Sequence, residues 1–108
     1  MIKKIALEYF HAFSNKDIDA LCQIFDVNVS LRDWDINAEG IDAVLDSSRN
    51  IFSAVESIHV TPVRLYEDGH TIIAELVIDI NSSNQIKVID VIEFTDRSKI
   101  IAIRAYKG

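Results

Sequence analysis

The sequence predicts an α+β fold, with helices early in the chain and a mainly antiparallel sheet built largely from its second half. Three observations carry this expectation. Apolar residues recur at three- and four-residue steps in three stretches before residue 56, and at two-residue steps in a short run near residue 30 and in most of the chain after residue 58. The apolar content is 49% and biased toward stiff β-branched side chains, with 18 Ile and 9 Val against 6 Leu, which favours strands. Only 3 Gly and 1 Pro occur in 108 residues, which excludes collagen-like, linker-like and low-complexity chains. That length fits one domain, residues 1–108, without an internal repeat or linker.

The elements follow in order. Ile2, Ile5, Tyr9 and Phe13, with Ala6 and Phe10 beside them, mark one face of a first helix. The polar break Ser14-Asn15-Lys16-Asp17 ends it, and Asp17 is placed to cap a second helix with Ile18, Leu21, Cys22 and Phe25 on one face. Val27, Val29, Leu31 and Asp33 then alternate with Asn28, Ser30 and Arg32 as a strand. A third helix begins after Gly40, with Ile41, Val44, Leu45, Ser48, Phe52 and Val55 on its stripe and Asp42 at the positive end of its dipole. Residues 58–66 read as a strand broken near Pro62, which places it at a sheet edge or a bulge. Asp68-Gly69 signals a hairpin, and residues 71–80, 85–95 and 99–106 complete a meander through Asn81-Ser82-Ser83-Asn84 and Thr95-Asp96-Arg97-Ser98. The order is thus α-α-β-α-β-β-β-β, with the helices on one face of the sheet. Ile72, Leu76 and Ile78 point one way and Ile73 and Val77 the other. The second face therefore needs its own cover, and a homodimer through the outer sheet face is expected.

Charge narrows the function classes. A net charge of −6 argues against nucleic acid and against anionic membrane surfaces, both of which need clustered Lys and Arg. No run reaches the roughly 18 apolar residues of a membrane span, and Met1-Ile2-Lys3-Lys4 does not open a cleavable leader, so a soluble cytoplasmic protein is expected. The single Cys22 forms no internal disulfide and reads as a small buried residue. His11, His59 and His70 lack metal-ligand spacing, and there is no Gly-rich phosphate loop, Gly-x-Ser-x-Gly or Cys-His pair.

Three ionisable groups fall on apolar faces. Tyr9 lies on the first helix stripe, Asp33 is in phase with Val27, Val29 and Leu31, and Asp90 is in phase with Ile86, Val88, Ile92 and Phe94. A carboxyl in that register is paired, hydrogen-bonded, held neutral or open to a cavity. An ion pair with Arg104 or Arg64 is the structural alternative for Asp90, and Trp34 beside Asp33 is a candidate pocket wall. Glu75 and Asp79 read as a solvated rim.

These residues sit in segments that resemble a ketosteroid isomerase, of the nuclear-transport-factor-2-like (SnoaL-like) superfamily. The run Tyr9-Phe10-His11-Ala12-Phe13-Ser14-Asn15-Lys16-Asp17, leading into Asp19-Ala20-Leu21 and Ile24-Phe25, is similar to the family's first helix and the turn after it. Val27 through Asp33 resembles its first strand, Ile89-Asp90-Val91-Ile92-Glu93-Phe94 its penultimate strand and Lys99-Ile100-Ile101-Ala102-Ile103-Arg104-Ala105 its last. The resemblance spans nearly the whole chain and implies a cone-shaped α+β barrel. It implies Asp33 as general base, and Tyr9 with a protonated Asp90 as oxyanion donors. Asp33 would move a proton alpha to a carbonyl through an enolate. An apolar pocket with Trp34, Phe13, Phe52, Val88 and Ile103 would hold a small apolar carbonyl compound, without metal or organic cofactor. Trp34 follows the base where proline is common, the loop from Asp33 to Gly40 is short, and Ser47 and Ser48 replace expected aromatics; these departures reshape the pocket wall away from steroids. A non-catalytic ligand-binding or dimerisation domain is the alternative, and a lyase, cyclase or hydrolase on the same scaffold is a third reading.

Overall fold

Ile2, Ala6, Tyr9 and Phe10 are buried along one face of α1 (Ile2–Ser14) in the computed structural model, which describes Met1–Gly108. The helix ends in a left-handed turn. Asp17 N donates to the Ala12 carbonyl at 2.9 Å and Lys16 N to that of Phe13 at 3.1 Å, with Lys16 at φ 55° where glycine is usual. The ammonium of this lysine donates to the carbonyls of Phe52, Val55 and Glu56 at 2.9, 2.7 and 3.0 Å. A cation thus sits at the carbonyl end of the third helix and offsets a backbone cost of about 1 kcal/mol. Asp17 caps α2 (Ile18–Ile24), its side chain accepting from Ala20 N at 3.0 Å.

Helix α2 is shorter than its apolar pattern predicts. Phe25 is already the first residue of β1 (Phe25–Arg32), and Cys22, expected to be buried, is exposed because Ile18, Leu21 and Ile24 carry the inward stripe and Cys22 lies beside it. Val27 is also misplaced by simple alternation. The pairing of β1 shifts between Phe25 and Ser30, so Val27 turns outward at 66% exposure while Val29 and Leu31 stay buried. The three-residue β2 (Asn37–Glu39) was not expected; it pairs antiparallel with β1, Ser30 opposite Glu39. Gly40, at φ 89°, then donates its N–H to the Val29 carbonyl and opens α3 (Ile41–Ala54), which buries Val44, Leu45, Ser48 and Phe52.

The remaining strands are β3 (Ile58–Asp68), β4 (Thr71–Ile80), β5 (Asn84–Phe94) and β6 (Ile100–Lys107). They join β1 and β2 in one mixed six-stranded sheet of order β2-β1-β6-β5-β4-β3, with β6 parallel to β1. β3 is an edge strand, and its register slips between Pro62 and Arg64, so the proline accounts for both edge and bulge. The β3–β4 turn uses Gly69 at φ 60°, and Asn81 and Ser82 at φ 56° and 57° make the β4–β5 turn. Asn81 also accepts from Glu56 N and Ser57 N, tying that turn to the end of α3.

Register decides what faces the helices. Across β4, β5 and β6 the inward rows are Ile72–Ile92–Ile103, Ala74–Asp90–Ala105 and Leu76–Val88–Lys107. The outward rows alternate with them and carry Ile73, Val91 and Arg104, then Glu75, Ile89 and Tyr106. α1 lies across β3, and α3 across β1 and β2. No helix is long and apolar enough to cross a membrane.

Candidate functional site

The middle inward row is where the site originates. Asp90 stands between Ala74 and Ala105, and the small Ala105 lines the space above the sheet rather than filling it. A cavity of about 240 Å³ occupies that space. α1 contributes Tyr9, Phe10 and Phe13 to its wall, and α3 contributes Ile51. Leu76, Val88, Ile103 and Ala105 form its floor with Asp90. Asp33, Trp34, Asp35 and Ile36, from the loop after β1, form its rim.

Asp33 is held by that loop. Its Oδ1 accepts from Asp35 N at 2.7 Å and Ile36 N at 2.6 Å, and its own N–H donates to the Ile36 carbonyl at 2.9 Å. The carboxylate is therefore oriented by backbone, with Oδ2 left for other work. Asp90 is only 7% exposed, no side-chain hydrogen bond or ion pair within the protein involves its carboxyl, and the group lines the cavity. Neither arginine proposed as its partner reaches it: Arg104 points outward and pairs with Glu93, and Arg64 is exposed on the edge strand. Burial, and then the Asp33 charge, push the Asp90 carboxyl from 3.8 up to about 7. Burial, then Asp90 and Asp33, raise the Tyr9 hydroxyl well above its usual range, so it stays a neutral donor. The Tyr9 hydroxyl and the Asp90 carboxyl share one water-poor space, which is why both feel the Asp33 charge.

Tyr9, Asp33, Asp90, Trp34, Phe13, Val88 and Ile103 are thus brought together on one cavity. Phe52 is not. Its ring packs against Phe13 at 4.8 Å, 69° between planes, and buttresses the wall from behind. The Lys16 ammonium on the Phe52 carbonyl draws that turn toward α1, and Ile51, one position away on the helix, reaches the cavity instead. Ser48 does not line the cavity either; its Oγ donates to the Val44 carbonyl at 3.0 Å inside the helix layer. Sequence reasoning missed Asp35, whose signal is its place in Asp33-Trp34-Asp35, and Ala105, in phase with Ile103. No three His, Cys, Asp or Glu side chains gather as metal ligands.

The comparisons agree with the architecture. A family model of the SnoaL-like domain matches residues 6–103. No curated protein matches the chain. Among solved structures, the chain is similar to SalBIII, described as an epoxide hydrolase/cyclase-like enzyme in pyran ring formation in the polyether salinomycin, at 24% identity and TM-score 0.86, covering 99% of this chain and 90% of that one. An LEH-like epoxide hydrolase of M. tuberculosis superposes with TM-score 0.84 at 18% identity, over 97% of this chain and 80% of that one. A protein of ketosteroid isomerase-like fold from Catenulispora acidiphila, in complex with trimethylamine, does so with TM-score 0.84 at 16% identity, over 94% and 83%. At these identities the likeness is one of fold.

Proposed function

The chain belongs to the SnoaL-like family, and on that premise we propose that it is an enzyme moving a proton alpha to a carbonyl, through an enolate, on a small apolar substrate. The observation that carries the reading is the unpaired, buried Asp90 carboxyl on the same cavity as the Tyr9 hydroxyl and the backbone-held Asp33. Asp33 removes the alpha proton, and the electron pair moves into the carbonyl. Tyr9 and neutral Asp90 donate hydrogen bonds to the oxygen as it becomes negative. Protonated Asp33 then returns the proton to the gamma carbon, which completes an isomerisation and regenerates the carboxylate.

Cavity size supports a small substrate. About 240 Å³ lies below the ~300–1,000 Å³ of ordinary ligand pockets, and it favours a cyclic enone of a few carbons over a steroid. The test is conversion of small β,γ-enones and of a Δ5-3-ketosteroid, followed by the ultraviolet absorbance of the conjugated product. Turnover of the small enones is expected, with the steroid slower. Turnover of an epoxide and of no enone would replace the enolate reading with epoxide opening by the same acid–base pair. Binding of an equilenin-like phenol without any turnover would leave a ligand-binding domain.

The outer sheet face supports a homodimer. Ile89 and Tyr106 are exposed there, with half-buried Ile73, Val77 and Val91 beside the Arg104–Glu93 pair. Size-exclusion chromatography with light scattering is expected to give twice the mass of one chain. A single-chain mass at micromolar concentration refutes the dimer.

A further inference from the structure

The cavity runs along the sheet in one direction. From the row Ala74–Asp90–Ala105 the inward positions continue as Leu76–Val88 and then Ile78–Ile86. Ile78 and Ile86 lie four residues along their strands from that row, about 14 Å at roughly 3.4 Å per residue. On the other side of the Asp90 row, Ile72 and Ile92 are fully buried and do not border the cavity. Burial falls the opposite way. Leu76 and Val88 are each 3% exposed, whereas Ile78 and Ile86 are half-buried. The cavity therefore opens past this isoleucine pair. Val60 of β3, opposite Ile78, and Ile51 of α3 line the same stretch, and no Lys, Arg or His lines the cavity. The side chains at this end are aliphatic and offer no hydrogen-bond donor or acceptor.

We propose that Ile78 and Ile86 determine specificity: they seat an uncharged aliphatic tail of the substrate, whose carbonyl head lies at Tyr9 and Asp90. The inference rests on the enolate reading of this site, and it adds the shape of the substrate. Half-buried isoleucines at an opening leave apolar surface in water, and a tail laid along them removes it. A hydroxylated or ionised tail loses hydration there and finds no partner in return. An anionic one also meets no cation on the wall. The head fixes the tail's direction. With the carbonyl oxygen at Asp90, the packed Ile72 and Ile92 block one way along the sheet, and the strands lead the other way to Ile78 and Ile86.

A series of para-alkylphenols, methyl to hexyl, tests this, the phenol standing in for the enol head. Titration calorimetry measures affinity, and fluorescence of Trp34, the chain's one tryptophan, reports occupation of the cavity. Affinity is expected to rise about threefold per methylene as the tail passes Val88 and reaches Ile86. A phenol of butyl length whose tail ends in a carboxylate is expected to bind about tenfold weaker than para-butylphenol. Ile78→Ser and Ile86→Ser are each expected to lower the hexyl-to-methyl affinity ratio about tenfold. The wild-type series decides the matter even where a serine variant fails to fold. Affinity that is flat from methyl to hexyl overturns the proposal, as does a rise that neither folded variant lowers. Equal binding of the carboxylate-ended phenol, or no binding by any member of the series, overturns it too. The two readings fail separately. Turnover of small enones with a flat series removes the tail seat and leaves the chemistry, whereas a rising series without turnover of any carbonyl compound does the reverse.

Discussion

Asp90→Asn is expected to stabilise the protein at pH 8 and to change little at pH 4. The buried carboxyl ionises at about 7 in the folded chain and at 3.8 when exposed. Between those values the folded state holds a proton that the unfolded state has released. Stability contributed by this group is therefore full below about pH 4 and is lost as pH rises through about 7. At about 1.4 kcal/mol per tenfold, the whole interval corresponds to a penalty on the order of 4 kcal/mol above neutrality. An amide carries no charge to desolvate, so it removes most of that penalty, less what its own unpaired N–H groups cost. Urea unfolding of both proteins at pH 5 and pH 8 measures it. The wild type is expected to lose stability relative to the variant on going from pH 5 to pH 8. A wild type that gains on the variant over that interval means that Asp90 is charged and paired throughout.

Asp33→Asn is expected to lower enone turnover by about 10²–10⁴-fold, the range for loss of a positioned base. The substitution is conservative in geometry. An asparagine Oδ1 still accepts from Asp35 N and Ile36 N, so the loop keeps its shape and the lost quantity is proton affinity. A second readout separates chemistry from damage. The Asp33 charge is one of the two causes that raise Asp90. Its removal is expected to move the Asp90 ionisation to lower pH, visible by carboxyl-carbon NMR across pH 4 to 8. Equal turnover in the two proteins ends the role of Asp33 as base, whatever the titration shows.

Much of this site was legible because a strand's period is strict. Asp90 occupies the inward phase of β5 between Val88 and Ile92, and no turn or strand end excuses it. Tyr9 is legible by the same logic on a helix. What escaped lies where period fails. Val27 sits in a register shift, β2 is only three residues long, and Phe25 ends an apolar helical stripe but begins a strand. Phe52 shows a different limit. Its stripe position says that it is buried, but not which of two adjacent buried surfaces it faces; its ring lies against Phe13, behind the cavity wall. Ala105 was silent because a cavity is announced by what its residues lack, and alanine on an apolar face raises no alarm.

The small side chain of Ala105 stands beside Asp90 on the cavity wall. A larger side chain at position 105 takes volume from the cavity, while Asp33, Trp34 and Asp35 are held by a separate loop after β1. The volume of the hollow can therefore change in methyl-sized steps at one strand position, without touching the helix and loop that carry Tyr9 and Asp33.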